Sequence, residues 1–183
     1  MTAKIEVNKL EAARRQIDKA IRMLFDRDDP VPIHTLASAG FTILKDLSEK
    51  SVRNGFHTQF QSCIRPGKER EFWGKFNTFA NFLKHAERDP ESISDNIEDE
   101  VNDSLLFLTS IYYQDLGNQL TLEMLVMVCW YTAIHPDIIN LEQASAPLKD
   151  LIDSRLKYIR DLSRTEQLNE GQEMFGLARS LYR

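Results

Sequence analysis

The sequence predicts an all-α fold, an irregular bundle of about six to seven helices, on three observations. Apolar residues recur at three-to-four spacing in one stretch after another, the period of a helix with one buried face. Prolines and Asn-Gly, Pro-Gly or Gly-Asn pairs fall between those stretches rather than inside them. No stretch combines β-branched alternation with turn residues on both flanks, so no sheet is expected.

Leu10, Ala13, Ile17, Ala20, Ile21 and Leu24 form the first stripe, with Arg14, Arg15, Lys19 and Arg22 on the other side. Asp28-Asp29-Pro30-Val31-Pro32 stops it and pre-sets the first turn of a second helix carrying Ile33, Leu36, Ala37, Gly40, Ile43, Leu44 and Leu47. Ala37 to Gly40 carry little side-chain bulk, so helices one and two are expected to pair closely. Residues 48–67 lack a clean period and read as a long connection with room for a short helix. From Lys68 to about Arg88 the pattern is helical again, with Phe72, Trp73, Phe76, Phe79, Ala80 and Leu83 on a broad aromatic face, and Asp89-Pro90 ends it.

The acidic stretch Glu91 to Asp103 begins as a loop, and Ser94 or Asp95 is the expected cap of a fourth helix with Glu98, Asp99 and Glu100 at its positive end. Leu105, Leu108, Ile111, Tyr112 and Leu116 are its apolar side. After Gly117-Asn118, Thr121 is an expected N-cap for Leu122 to Ile134, which is apolar nearly all round and so reads as the central helix. Pro136 closes it; Pro147 opens a sixth helix with Leu148, Leu151, Ile152, Leu156, Ile159 and Leu162; and a more polar seventh segment runs from Thr165.

The chain's 183 residues suit a single helical domain over residues 1–183. A formal net charge of -5 sets the average surface against phosphate, which argues against broad electrostatic DNA binding. Cys63 and Cys129 are far apart, so two reduced thiols and a cytoplasmic location are expected. Met1 to Val7 has no apolar signal core. The most apolar run, Leu120 to Ile134, is too short to span a bilayer, so no membrane partner is expected.

Neither a metal nor an organic cofactor is expected. His34, His57, His85 and His135 lack companions one helical turn away, the spacing that zinc and di-iron sites on helices use. The seven glycines are scattered, without a phosphate-cradling loop. Glu170-x-x-Glu173 and Glu100-x-x-Asp103 match halves of a paired-carboxylate magnesium motif, but in the wrong order, and read as acids on solvated turns. Cys129, between Val128 and Trp130, reads as core, as do Trp73 and Trp130, and His34 as a structural histidine. Arg155, Arg160 and Arg164 read as solvated faces.

One constellation stands out. Asn77, Asn81, His85 and Arg88 follow at four-, four- and three-residue spacing, with Lys84 beside them. On a helix they form a polar stripe able to hydrogen-bond a phosphate or a base, and His85 alone among them exchanges a proton near neutral pH. His85, close to a helix end between Lys84 and Arg88, is equally suited to complement the helix dipole.

The run Ala80-Asn81-Phe82-Leu83-Lys84-His85 resembles the Arg-Asn-x-x-x-His signature of the HEPN superfamily, helical bundles that include metal-independent ribonucleases and nucleotide-binding regulators. That resemblance implies a homodimer whose signature helices meet in a cleft, with Asn81 and His85 at its wall. In the superfamily's catalytic pattern four to six residues separate an arginine from the histidine; those places here hold Ala80, Phe79 and Thr78. Arg53-Asn54-Gly55-Phe56-His57 has the arginine but too short a spacing, and Gly55 argues against a helix. Asn81 to Pro90 is also similar to a segment of bacterial proteins of unassigned activity, which adds no chemistry. The expected function is therefore a non-catalytic helical interaction or regulatory module, HEPN-like, with a protein or an RNA or nucleotide partner. A metal-independent ribonuclease using His85 is the alternative.

Overall fold

The computed structural model describes residues 4–51, 67, 69–85, 87, 90–94, 98–136 and 158–181. Among these residues the chain is helical, with no strand. The α-helices are α1 (Lys9–Phe25), α2 (Pro30–Glu49), α3 (Glu69–Phe82), α4 (Glu100–Asp115), α5 (Leu122–Ile134) and α6 (Arg164–Leu181), with a short 3-10 turn at Ile159–Asp161 before α6. The expected all-α multi-helix bundle is what forms. The connection centred on residues 52–66, with Cys63 and His57, and most of the expected sixth helix, with Arg155, lie outside the described residues.

Local chemistry sets the helix starts. The Asn8 side chain accepts from the Glu11 amide at 2.8 Å to open α1, and Asp29 accepts from the Val31 amide at 2.9 Å where Pro30 occupies the first turn of α2. Thr121 caps α5 as its position predicts, accepting from the Met124 amide at 3.2 Å. The expected cap of α4 is corrected. Ser94 lies outside any helix, Asp95 is outside the described residues, and α4 starts at Glu100 behind Asp99, whose side chain makes no capping bond. The acids of its first turn, Glu100 and Asp103, offset the helix's positive end instead.

One cluster of buried apolar side chains draws on all six helices, and α1 and α2 pack against each other more extensively than any other pair. Gly40 lets them approach: a Cβ there would sit 2.8 Å from Ile17 Cγ1. A second close approach joins α6 to the end of α1, where a Cβ on Gly171 would lie 2.1 Å from Phe25 Cε1. Phe25 in turn sets its edge against Trp130, ring centres 5.3 Å apart, and against Phe175 at 5.7 Å. Trp130 is fully buried at the heart of α5, and its indole N–H donates to the Gln167 carbonyl of α6. As its all-round apolar pattern predicts, α5 is enclosed by α1, α4 and α6.

Polar ties fix the ends of this core. Asp18 is buried on α1, where Oδ1 accepts from the Thr121 hydroxyl at 2.7 Å and Oδ2 from Arg14 at 2.8 Å. Four residues along α1, Arg22 reaches Glu123 of α5 at 2.6 Å. The basic side of α1 thus works partly as a clamp on α5 rather than as a solvated face alone.

Candidate functional site

The third helix is shorter than its sequence pattern predicts. It ends at Phe82, not near Arg88, and Leu83 and Lys84 form a turn in which the Lys84 amide donates to the Asn81 carbonyl at 3.1 Å. Phe79 and Ala80 are its last buried residues, and beyond the half-buried Leu83 no described side chain anchors a further turn in the core. Apolar packing sustains helices more than local propensity does.

The polar stripe divides within α3 itself, since Asn77 and Asn81 both precede its end. Asn77 lies in a groove of about 300 Å³ between α2 and α3 with Phe41, Lys45, Asp46 and Trp73. Asn81 and His85 line a different groove, of about 400 Å³, together with Thr78, Phe82, Ser92, Ile93 and Ser94. The amide of His85 still donates to the Asn81 carbonyl at 3.0 Å, so these two remain a turn apart. Lys84 is exposed at the turn, and Arg88 lies outside the described residues.

His85 is half-buried and its Nδ1 lies 3.0 Å from Glu87 Oε1. Hydrogen bonds from the Glu87 backbone amide and then from His85 hold that carboxyl below its usual range. Phe82, stacked on Phe79 at 6.0 Å, and Ile93, 87% exposed, give the groove apolar surface beside the amide of Asn81. Flat apolar surface next to an amide and an imidazole suits a base or a peptide segment.

A second group of polar residues was misread from the sequence. Asp103 and Arg164, both expected on solvated faces, pair between α4 and α6, the carboxylate buried and the guanidinium partly so: the guanidinium donates to both carboxylate oxygens, at 2.6 and 2.8 Å. The Asp103 side chain is only 6% exposed. Burial pushes its carboxyl up to about 6, against the pull of Arg164. Arg164 also lies 5.6 Å over the Trp130 ring and 3.6 Å from Asp99, and its Nε makes no hydrogen bond.

These two line a cavity of about 390 Å³ with Glu98, Glu100, Ser104, His135, Gln167 and the apolar Phe76, Val101 and Ile134. His135, at the end of α5, rests on Tyr131 with ring centres 4.4 Å apart, and burial lowers its affinity for a proton despite Glu100. A signal for Asp103 was present in the sequence. It stands three, seven and ten residues before Leu106, Ser110 and Tyr113, all buried, and so on the inward stripe of α4. For Arg164 the signal was Ser163-x-x-Glu166, a capping box that places the arginine at the helix start: the Ser163 amide donates to Glu166 Oε2 at 2.8 Å.

The structural histidine, His34, is fully buried. Its Nδ1 donates to Asn102 Oδ1 at 2.9 Å, while Nε2 makes no hydrogen bond and burial pulls its affinity for protons down. Cys129 packs in the core as expected, and burial pushes its thiol up to about 11, so it stays protonated at neutral pH. Among the described residues no three His, Cys, Asp or Glu side chains are grouped to hold a metal ion, and no helix is long and apolar enough to cross a membrane.

Comparison with protein-family models, with curated proteins and with solved structures finds no match to this chain.

Proposed function

We propose that the protein is a non-catalytic helical interaction module that works by binding, HEPN-like in its use of the Asn81 and His85 face, and that it acts in the cytoplasm as a homodimer. The observation that carries this reading is the groove at the end of α3. Asn81 and His85 meet there beside Phe82 and the exposed Ile93, with the imidazole engaged by Glu87. The arrangement offers an amide, a ring and apolar surface to a nucleotide base or a peptide. Thr78, Phe79 and Ala80 stand where a catalytic arginine would be needed to stabilise charge on a scissile phosphate.

Retention of a labelled mixed-sequence RNA by the purified protein, with chelator present and at two salt concentrations, tests the reading. Retention without cleavage supports an RNA-associated module. Neither retention nor cleavage restricts the partner to a protein or a free nucleotide. Light scattering at high micromolar concentration tests the dimer, and a strictly monomeric mass contradicts it.

A second reading, a metal-independent ribonuclease, is favoured by one observation: the imidazole of His85 and the amide of Asn81 share one groove. His85 would then serve as the general acid or base, with the exposed Lys84 beside it in place of the arginine. Chelator-resistant cleavage that disappears in His85→Ala selects this reading over the first.

A further inference from the structure

We infer that the cavity between the first turns of α4 and α6 and the end of α5 binds a small organic cation, an amine or guanidine carried on an apolar body. The inference concerns a different face from the Asn81 groove and does not rest on that reading.

The cavity's 390 Å³ falls in the range of small-molecule sites, about 300–1,000 Å³. Among the described lining residues its charge is one-sided. Arg164, the one arginine among them, is already occupied by both oxygens of Asp103. His135 adds no positive charge near neutral pH, because burial favours its neutral form. Glu98 and Glu100 remain, both exposed at the cavity wall and neither joined, among the described residues, to a cation within ion-pair distance.

An anionic ligand fits poorly, although two helices begin here and helix N-termini attract anions. The first turn of α6 is closed by the reciprocal Ser163 and Glu166 cap. That of α4 carries Glu100 and Asp103, with Glu98 and Asp99 just ahead. A phosphate entering here would face the lining carboxylates of Glu98, Glu100 and Asp103.

The remaining wall selects an apolar body. Phe76, Val101 and Ile134 line one part, and the ring of His135, backed by Tyr131 and then Phe107 at 4.4 Å each, forms a layered aromatic surface. Aromatic faces attract organic cations. A ligand's ammonium would sit between Glu98 and Glu100, with its hydrocarbon part against this wall.

Calorimetric titration of the full chain tests this with phenethylamine and agmatine as probes, and phenethyl alcohol and inorganic phosphate as controls. Saturable binding of at least one amine is expected, with both controls at least about tenfold weaker. The doubly substituted Glu98→Gln, Glu100→Gln protein should lose about tenfold or more in amine affinity. Both side chains are exposed, and circular dichroism checks that the variant folds. In the wild type the bound amine should also shift the His135 imidazole resonances, a readout that does not depend on the variant. The proposal is overturned if neither amine saturates by about 10 mM, if phosphate binds as tightly as the amines, if the double substitution leaves affinity unchanged, or if His135 does not respond.

Discussion

Arg164, in the first turn of α6, grips both carboxylate oxygens of Asp103 on α4 while its guanidinium lies over Trp130 of α5. One side chain therefore joins three helices at the edge of the core. Taking both charges out of water is expensive, and the mutual attraction and paired hydrogen bonds offset that cost only while both partners are present. The pair is thus a point where the fold registers helix position rather than a large net source of stability.

Removing one partner is expected to hurt more than removing both. Arg164→Ala should lower unfolding free energy by about 3–5 kcal/mol, because it strands a buried carboxylate. The doubly substituted Asp103→Leu, Arg164→Met protein should recover most of that loss, since apolar groups of similar size need no partner. Urea unfolding of the three proteins checks this. A double variant as unstable as the single one contradicts it.

Two buried groups give opposite pH dependences. The Asp103 carboxyl is raised from 3.8 to about 6 in the fold, so the native state holds its proton longer. Its contribution therefore falls as pH climbs through that window. His34 is lowered from 6.5, so the unfolded chain takes up the proton first, and its contribution is lost as pH falls below 6.5. Unfolding curves from about pH 4 to about pH 7 should separate them. Relative to wild type, Asp103→Asn should lose stability more steeply toward acid, and His34→Gln less steeply. Three parallel curves would refute both assignments.

Gly171 faces Phe25 so closely that an added methyl group would overlap the ring, at 2.1 Å from Cε1 and 2.4 Å from Cδ1. Gly171→Ala should cost about 1–3 kcal/mol through overpacking, against its own gain in helix propensity. Phe25→Leu in the same chain should relieve part of that strain. Equilibrium unfolding in denaturant tests the coupling, and strictly additive effects of the two changes would contradict the contact.

Much of the fold was legible in the sequence. The stripe from Leu10 to Leu24, the Pro30 start of α2, the small residues around Gly40 and the Thr121 cap are local signals with local causes, and each appears where its pattern placed it. The end of α3 was not, because Leu83 to His85 carry no helix breaker, and what sustains a helix is tertiary packing, which a local pattern does not show. Asn77 and Asn81 both stand inside α3, and they part because they open onto different grooves, which their four-residue spacing does not reveal. Asp103 was misread for a related reason. An acid in a helix's first turn explains itself through the dipole, so the inward register that it shares with Leu106 went unused.

On the proposed function, the Asn81 and His85 groove binds and does not cut. The most direct test is to incubate wild-type and His85→Ala protein with a labelled mixed-sequence RNA in the presence of chelator, following retention and cleavage in the same samples. Intact RNA is expected throughout, with retention by the wild type weakened in the variant. RNA cleaved by the wild type and left whole by His85→Ala would contradict it and make His85 a catalytic residue.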